Sequence, residues 1–171
     1  MSAPLSGVKL VPFGRQHLAQ TLQWTNDPEL ARLMDRQHRV TADEHERWFI
    51  SLSSRGDTIF FAIEEGARHI GNVWLADINS HHRKAEVRIV LAPDAASRGC
   101  GSRAIELIVA QAFGHMNLHR LYAFVLAFNP RARRAFEKAG FTLEGTLRED
   151  RFDGARLVDA FVLGRINNAV E

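Results

Sequence analysis

With 171 residues, 46% of them apolar and 25% charged, the chain has the size and composition of one soluble globular domain with a sizeable core. Its single cysteine, Cys100, excludes an internal disulfide framework and a thiolate zinc site, and suits a reducing, cytoplasmic setting. A net charge of +2, with Lys and Arg scattered, excludes the basic stripe of a nucleic-acid binder, and no apolar run approaches the ~18–20 residues that cross a bilayer.

In chain order, Met1 to Leu10 has no apolar stretch of the kind a signal peptide needs. Val8 to Phe13 is a short strand. Gln16–Trp24 and Pro28–Met34 follow as two short helices, the second with Asp27 as N-cap before a first-turn proline. Thr41-Ala-Asp-Glu44 is a capping-box pattern opening a helix that carries Trp48, Phe49 and Leu52 on one side. Three strands come next, Ile59–Glu64, His69–Ile78 and Lys84–Leu91, separated by a Gly66 turn and an Asn79-Ser80 turn. Ile105, Ile108, Ala112 and Met116 recur at helical spacing and predict a sheet-packed helix over Ser102–Met116. Leu118–Phe128 is a buried strand, and Pro130 begins a helix that Gly140 ends. Phe141–Arg148 and Leu157–Arg165 close the chain as an antiparallel pair around Asp153-Gly154. The alternation predicts an α/β fold with a mixed sheet in one domain.

Ala85 to Ala104 is the most informative segment: a strand, a Gly-rich loop, then a helix. Glycines let the backbone come close to a ligand, and the N–H groups that open a helix have no intrahelical partners. With the helix dipole they make an anion site suited to a diphosphate, to which Arg98 and Arg103 can add charge. The loop has neither the Gly-Lys-Ser/Thr ending of a P-loop nor a three-glycine dinucleotide fingerprint. A plain turn is the alternative reading of the same residues.

Ala96-Ser-Arg-Gly99-Cys-Gly101 resembles the acetyl-CoA loop of the GNAT superfamily, Gln/Arg-x-x-Gly-x-Gly/Ala, with both glycines in place and a departure at Ala96. Asn129-Pro-Arg-Ala-Arg-Arg-Ala-Phe-Glu-Lys-Ala-Gly-Phe141 looks like the Asn-x-x-Ser/Ala…Glu-Lys-x-Gly-Phe segment of the same family. Leu147-Arg, Asp153-Gly, Val158-Asp159 and Leu163-Gly164 resemble the C-terminal hairpin of its ribosomal-protein N-acetyltransferase-like branch. Gly71-Asn-Val extends the likeness to about residues 59–165. Trp24-Thr-Asn-Asp-Pro-Glu29 and Glu46-Arg-Trp48-Phe49 are loosely similar to members that acetylate nucleotide-linked amino sugars.

The resemblance implies a single-domain GNAT-like α/β fold over residues 1–171, a mixed, mostly antiparallel sheet with helices on both faces. Residues 1–55 would supply acceptor-side helices, and 57–165 the sheet and acetyl-CoA-binding core. It implies direct transfer of an acetyl group from acetyl-CoA to a primary amine in a ternary complex. The acceptor classes it leaves open are a small-molecule amine such as a polyamine, an amino sugar, an aminoglycoside-like compound or a protein N-terminus. A homodimer is a further family expectation, and neither nucleic acid nor membrane is implied as a partner.

Residue by residue, the resemblance places Glu86 and Asn129 at the catalytic centre, with Asn129 beside the pantetheine arm. It assigns cosubstrate contacts to Ile89, Val90 and Leu91 on the strand, to Arg98, Gly99, Cys100, Gly101, Ser102 and Arg103 in the loop, and to Arg134 or its neighbour Arg133 at a phosphate. Strand alternation puts Glu86, Arg88 and Val90 on one face, so Glu86 also reads as a plain partner of Arg88. Where many members carry a proton-donating tyrosine this chain has Phe136, and its one tyrosine, Tyr122, reads as core. Phe136 and Ala96 are the features that fit the alternative of a non-catalytic acetyl-CoA-binding sensor or partner subunit. The arginines and the helix start near Cys100 predict a lowered thiol pKa, without the His and carboxylate a nucleophile needs. Among the acids, Asp27, Glu29, Asp35 and Glu44 are candidates to attract a cationic acceptor, and Trp24 or Trp48 to line its pocket. No metal is expected, since the histidines, His81-His82 included, lack ligand spacing.

Overall fold

The computed structural model describes residues 7–34 and 36–168. Among them, strands β1 (Val8–Pro12), β2 (Ile59–Glu65), β3 (Arg68–Asn79), β4 (Lys84–Leu91), β5 (Arg120–Leu126), β6 (Thr142–Phe152) and β7 (Leu157–Ile166) form one sheet. Their order in space is β1-β2-β3-β4-β5-β7-β6. Every pairing is antiparallel except β4 with β5.

Five helices flank this sheet: α1 (Leu18–Thr25), α2 (Pro28–Leu33), α3 (Ala42–Leu52), α4 (Cys100–Ala110) and α5 (Pro130–Lys138). Two contacts show that both faces are covered. Asn72 of β3 donates to Thr21 Oγ1 of α1 at 3.0 Å, whereas Leu91 of β4 lies against Gly101 of α4. The register aligns Asn72 with Val90, Trp74 with Arg88 and Ala76 with Glu86, so these residues share the α1 face. Val73, Leu75 and Val87 alternate to the α4 face, where they join Ile105 and Ile108 in a core closed to solvent.

The helix signals act as their chemistry dictates. Asp27 accepts the Leu30 N–H at 2.9 Å, and Pro28 follows as N1. Thr41 Oγ1 accepts from Glu44 N at 3.3 Å, while Glu44 Oε2 accepts from Thr41 N at 2.7 Å, closing the capping box. Gly140 ends α5 at φ +82°, a conformation that suits glycine.

Several boundaries differ from expectation. The helix after the Gly-rich loop starts at Cys100, two residues before Ser102, because Gly99 at φ +86° is its N-cap. Its regular part stops at Ala110, and Gln111–His115 continue as a wider turn closed by the Met116 N–H on the Gln111 carbonyl. Asn117 at φ +52° then ends the run. β5 covers Arg120–Leu126 instead of 118–128, and β6 continues to Phe152, past an irregularity between Leu147 and Arg151.

Candidate active site

β4 and β5 pair only from Lys84 to Glu86, against Arg120 to Tyr122. Beyond that point the strands part and leave a cleft of ≈ 780 Å³. The Ala92 N–H bonds the Ile70 carbonyl at 2.8 Å, and with the β3 register this turns the main-chain groups of even-numbered residues toward β3. The groups of Ile89 and Leu91 therefore face the gap, where β5 supplies no partner.

At one end of the gap is the first turn of α4. Its opening N–H groups are unpaired within the helix, the first i→i−4 bond running from Arg103 N to Gly99 O at 3.1 Å. Gly101 is buried, and a Cβ there would stand 3.2 Å from Leu91 Cδ1 and 3.7 Å from Ala135 Cβ. Gly99, Gly101 and Ser102 line the cleft, so main-chain donors and the helix dipole meet it together.

The structure separates the expected side chains into two groups. Glu86, Ile89, Val90, Leu91, Asn129 and Arg134 line the cleft with those loop residues. Arg98, Cys100 and Arg103 do not contribute side chains to that lining. Arg98 bonds Glu65 at 2.7 Å, and Arg103 pairs with Glu106 along the exposed face of α4 at 3.2 Å. Of the two neighbouring arginines, Arg133 turns away to Glu137 at 2.8 Å and over the Phe161 ring, leaving Arg134 at the cleft.

Cys100 corrects one expectation. Its side chain is fully buried, and burial raises the thiol pKa, with the nearby Glu65 carboxylate adding to the shift. The neighbouring Arg98 opposes this more weakly. The anticipated lowering by arginines and a helix start is outweighed.

Glu86 is buried in the cleft wall and accepts from Arg88 Nη2 at 2.7 Å, so the ion pair and the cleft position coexist. That bond raises the Arg88 pKa, against the cost of partial burial. Tyr122 stands opposite Glu86 in the register but does not line the cleft. Burial, then the charges of Glu86 and Asp77, hold its phenol pKa up. Asn129 caps α5 by accepting the Ala132 N–H at 3.1 Å and also lines the cleft. Phe136 lines it too, packed edge-on against Phe141 with centroids 5.1 Å apart.

A second cavity of ≈ 370 Å³ adjoins the cleft on the α1 face and shares Leu30, Met34, Arg88 and Val90 with it. Trp24 and Trp48 line it, and so does Trp74, which the sequence did not mark as a pocket residue. Alternation from Asn72 through Trp74 and Ala76 onto the face of Glu86 carried the signal for that residue. Of the acids proposed for a cationic acceptor, Asp27 and Glu44 are spent on capping and Glu29 lines the cleft. Asp35 lies outside the described residues. The carboxylates that do line the second cavity are Asp57 and Asp77. Asp77 sits at a bulge with φ +50°, which no residue pattern announces. Among the described residues no cluster of His, Cys, Asp and Glu could hold a metal, and no helix is long and apolar enough to cross a membrane.

Comparison with known proteins agrees with this geometry. A model of the acetyltransferase (GNAT) domain matches residues 8–142. Spermidine N(1)-acetyltransferase of Escherichia coli (strain K12) is 30% identical over 170 residues, covering 95% of this chain and 83% of that protein. The spermidine N-acetyltransferase from Vibrio cholerae, solved in complex with CoA and spermine, superposes with a TM-score of 0.89 at 27% identity. The match covers 94% of this chain and 96% of that one. The same Vibrio cholerae enzyme in a dodecameric structure gives a TM-score of 0.81 at 26% identity, over 97% and 99% of the two chains. A splayed strand pair, a Gly-rich helix start on the gap and matches that span nearly the whole fold place this chain in the GNAT acetyltransferase family, as an acetyl-CoA-dependent N-acetyltransferase.

Proposed function

We propose that the chain acetylates a small-molecule primary amine, with Glu86 as general base, acting directly or through a water. One observation carries this reading: the unpaired edge of β4, the first turn of α4 and the buried Glu86 carboxylate open into the same cleft. Bound acetyl-CoA supplies the acetyl group as an activated thioester. Main-chain groups of Ile89 and Leu91 bond its pantetheine amides as a missing strand would, and the N–H groups of Gly99, Gly101 and Ser102 hold the diphosphate. Arg134 adds a positive charge there, and Asn129 orients the arm. The Arg98, Cys100 and Arg103 side chains have structural roles, the loop acting through its backbone.

Amines are mostly protonated at neutral pH, so the attacking nitrogen must lose a proton. Glu86 takes it, and Arg88 fixes the carboxylate orientation. Phe136 offers no proton to the departing thiolate, which leaves as a tolerable leaving group and is protonated by solvent. A main-chain N–H of the β4 edge stabilises charge on the acetyl oxygen.

The relatives are named for spermidine, so polyamines are the first acceptors to test. Ribosomal-protein N-termini and nucleotide-linked amino sugars, drawn from the resemblance, have no counterpart among the named relatives. Self-association is supported by the dodecameric relative and by the exposed Leu143, Leu147, Phe152 and Leu157 on β6 and β7. A cytoplasmic location fits the lone buried cysteine and the cosubstrate. The test is calorimetric titration with acetyl-CoA, followed by thiol release over a panel of amines. Binding with release on an amine is expected. Binding without release on any amine favours the sensor reading, and absence of binding overturns both.

A further inference from the structure

The charges on the wall of the second cavity cancel. Arg36 and Arg55 stand against Asp57 and Asp77, and Arg88 is held by Glu86 at 2.7 Å. Most neutral polar side chains of the same wall are already spent. Thr25 donates to the Thr21 carbonyl at 2.8 Å, and Thr58 donates to Asp57 Oδ1 at 3.1 Å. Asn72 donates to Thr21 Oγ1 at 3.0 Å, and its Oδ1 lies 2.9 Å from His69 Nε2. His45 is the exception. It lines the cavity, is only 6% exposed, and among the described residues its ring makes no hydrogen bond.

Local structure fixes this ring and keeps it neutral. His45 N donates to the carbonyl of the N-cap Thr41 at 3.0 Å, so the residue sits where α3 begins. Its imidazole stacks on Trp48, with centroids 4.9 Å apart and 23° between the planes. Burial lowers its pKa, the Arg36 charge adds to that, and Glu46 opposes it more weakly. The positive end of the helix dipole also disfavours a charged ring. A neutral imidazole has one N–H and one lone-pair nitrogen. Water can serve both while the cavity is open, but a ligand that displaces this water must replace its bonds. An amine brings N–H donors, which match the lone-pair nitrogen.

We propose, resting on the acetyl-transfer reading, that the lone-pair nitrogen of neutral His45 accepts a hydrogen bond from an N–H of the acceptor amine. His45 is then an acceptor-binding residue and takes no part in the chemistry at the thioester. Protonation removes the lone pair and sets a positive charge against a cationic ligand. Acceptor affinity therefore falls with pH, while acetyl-CoA affinity does not.

The experiment takes spermidine, 1,4-diaminobutane and 2-phenylethylamine through the thiol-release assay and carries forward the one with the highest kcat/KM. His45→Leu is expected to raise the KM of that amine about tenfold or more and to leave acetyl-CoA affinity unchanged. His45→Gln, whose amide oxygen accepts a hydrogen bond without titrating, is expected to keep most of the acceptor affinity. Calorimetry of the CoA-loaded protein with the same amine then follows binding from about pH 7.5 to 5.5, where the amine stays charged and ordinary carboxylates stay ionised. Affinity should fall across this range in the unaltered protein and stay level in His45→Gln. An unchanged KM in His45→Leu overturns the proposal, and so does an equal loss in both variants, which would mark a packing role. A slope that survives in His45→Gln also overturns it and points to His69 and His17 behind Asn72. Acetyl-CoA binding with no thiol release on any of the three amines is a different failure, because it removes acetyl transfer to such amines and this assignment with it.

Discussion

Arg32 on α2 and Asp153 in the β6–β7 turn, 121 positions apart in the chain, meet as an ion pair at 2.9 Å. The helix that walls the cleft with Leu30, Leu33 and Met34 is thereby fastened to the far hairpin. Gln37 adds a second tie to the Phe152 carbonyl at 3.3 Å.

The Arg32 guanidinium, with the Arg156 and Ala155 amides, lowers the Asp153 pKa from 3.8 to about 2. A carboxyl depressed in the folded state contributes stability above its ordinary pKa and loses it as pH falls through the folded one. Asp153→Asn should therefore melt below the unaltered protein at about pH 5.5, with the gap closing toward about pH 2. Thermal melts of both proteins across this range check it. A gap that does not narrow rejects the pair as its cause.

The imidazole of His69 carries the opposite charge type and the same direction of shift. Burial lowers its pKa below 6.5, an effect the Asn72 hydrogen bond opposes and His17 reinforces. The folded protein thus favours the neutral ring, so this contribution is whole above pH 6.5 and declines as pH falls below it. His69→Gln should flatten the melting temperature between about pH 7 and 5. An unchanged slope would assign the effect to another group.

At the Gly-rich loop, Gly99 sits at φ +86°, where a Cβ costs ~1–2 kcal/mol. Gly101→Val would push its branches into Leu91 and Ala135, and so into the cosubstrate edge of β4. Gly99→Ala and Gly101→Val are each expected to weaken acetyl-CoA binding about tenfold or more, near 1.4 kcal/mol. Equal affinity in calorimetry would show that the loop does not hold the cosubstrate.

Glu86→Gln keeps the shape of the carboxylate and removes its basicity. Turnover should fall by about 10²–10⁴-fold, with acetyl-CoA affinity nearly kept. Activity that rises at high pH in the variant would fit a base lost and partly replaced by solvent. A variant with unaltered turnover across the pH range excludes Glu86 from proton transfer.

Gly71 tests the frame instead of the chemistry. A Cβ there would run into the Val90 carbonyl oxygen and the Leu91 side chain, where β3 and β4 pass closely. Gly71→Ala should cost ~1–3 kcal/mol of stability, read as a lower denaturant midpoint. An unchanged midpoint would mean that the two strands can separate freely.

The elements that could be read from residue types alone are those set by local chemistry. Asp27, the Thr41–Glu44 box, Pro130 and Gly140 each act within a few residues, and each marks an observed boundary. The cleft was legible for a different reason: glycines and helix-start N–H groups serve through the backbone, which spacing describes well. Arg98 and Cys100 were harder, because their partner Glu65 comes from a distant strand that only the folded sheet brings near. Trp74, Asp57 and Asp77 needed tertiary placement as well, since each looks like an ordinary strand or turn residue until α1 and α3 close over them.

The cleft and the second cavity meet through only four shared side chains, one of them Arg88. On the proposed reaction the thioester fills the cleft and the amine reaches it from the adjoining cavity, the two meeting at this shared boundary. Neither ligand has to pass through the place of the other on its way in or out. The kinetic consequence is random order: initial-rate patterns should intersect, and each product should be able to depart while the other remains. A substitution that bulks up the shared wall at Val90 would act on both Michaelis constants together, making the two compartments compete for one boundary.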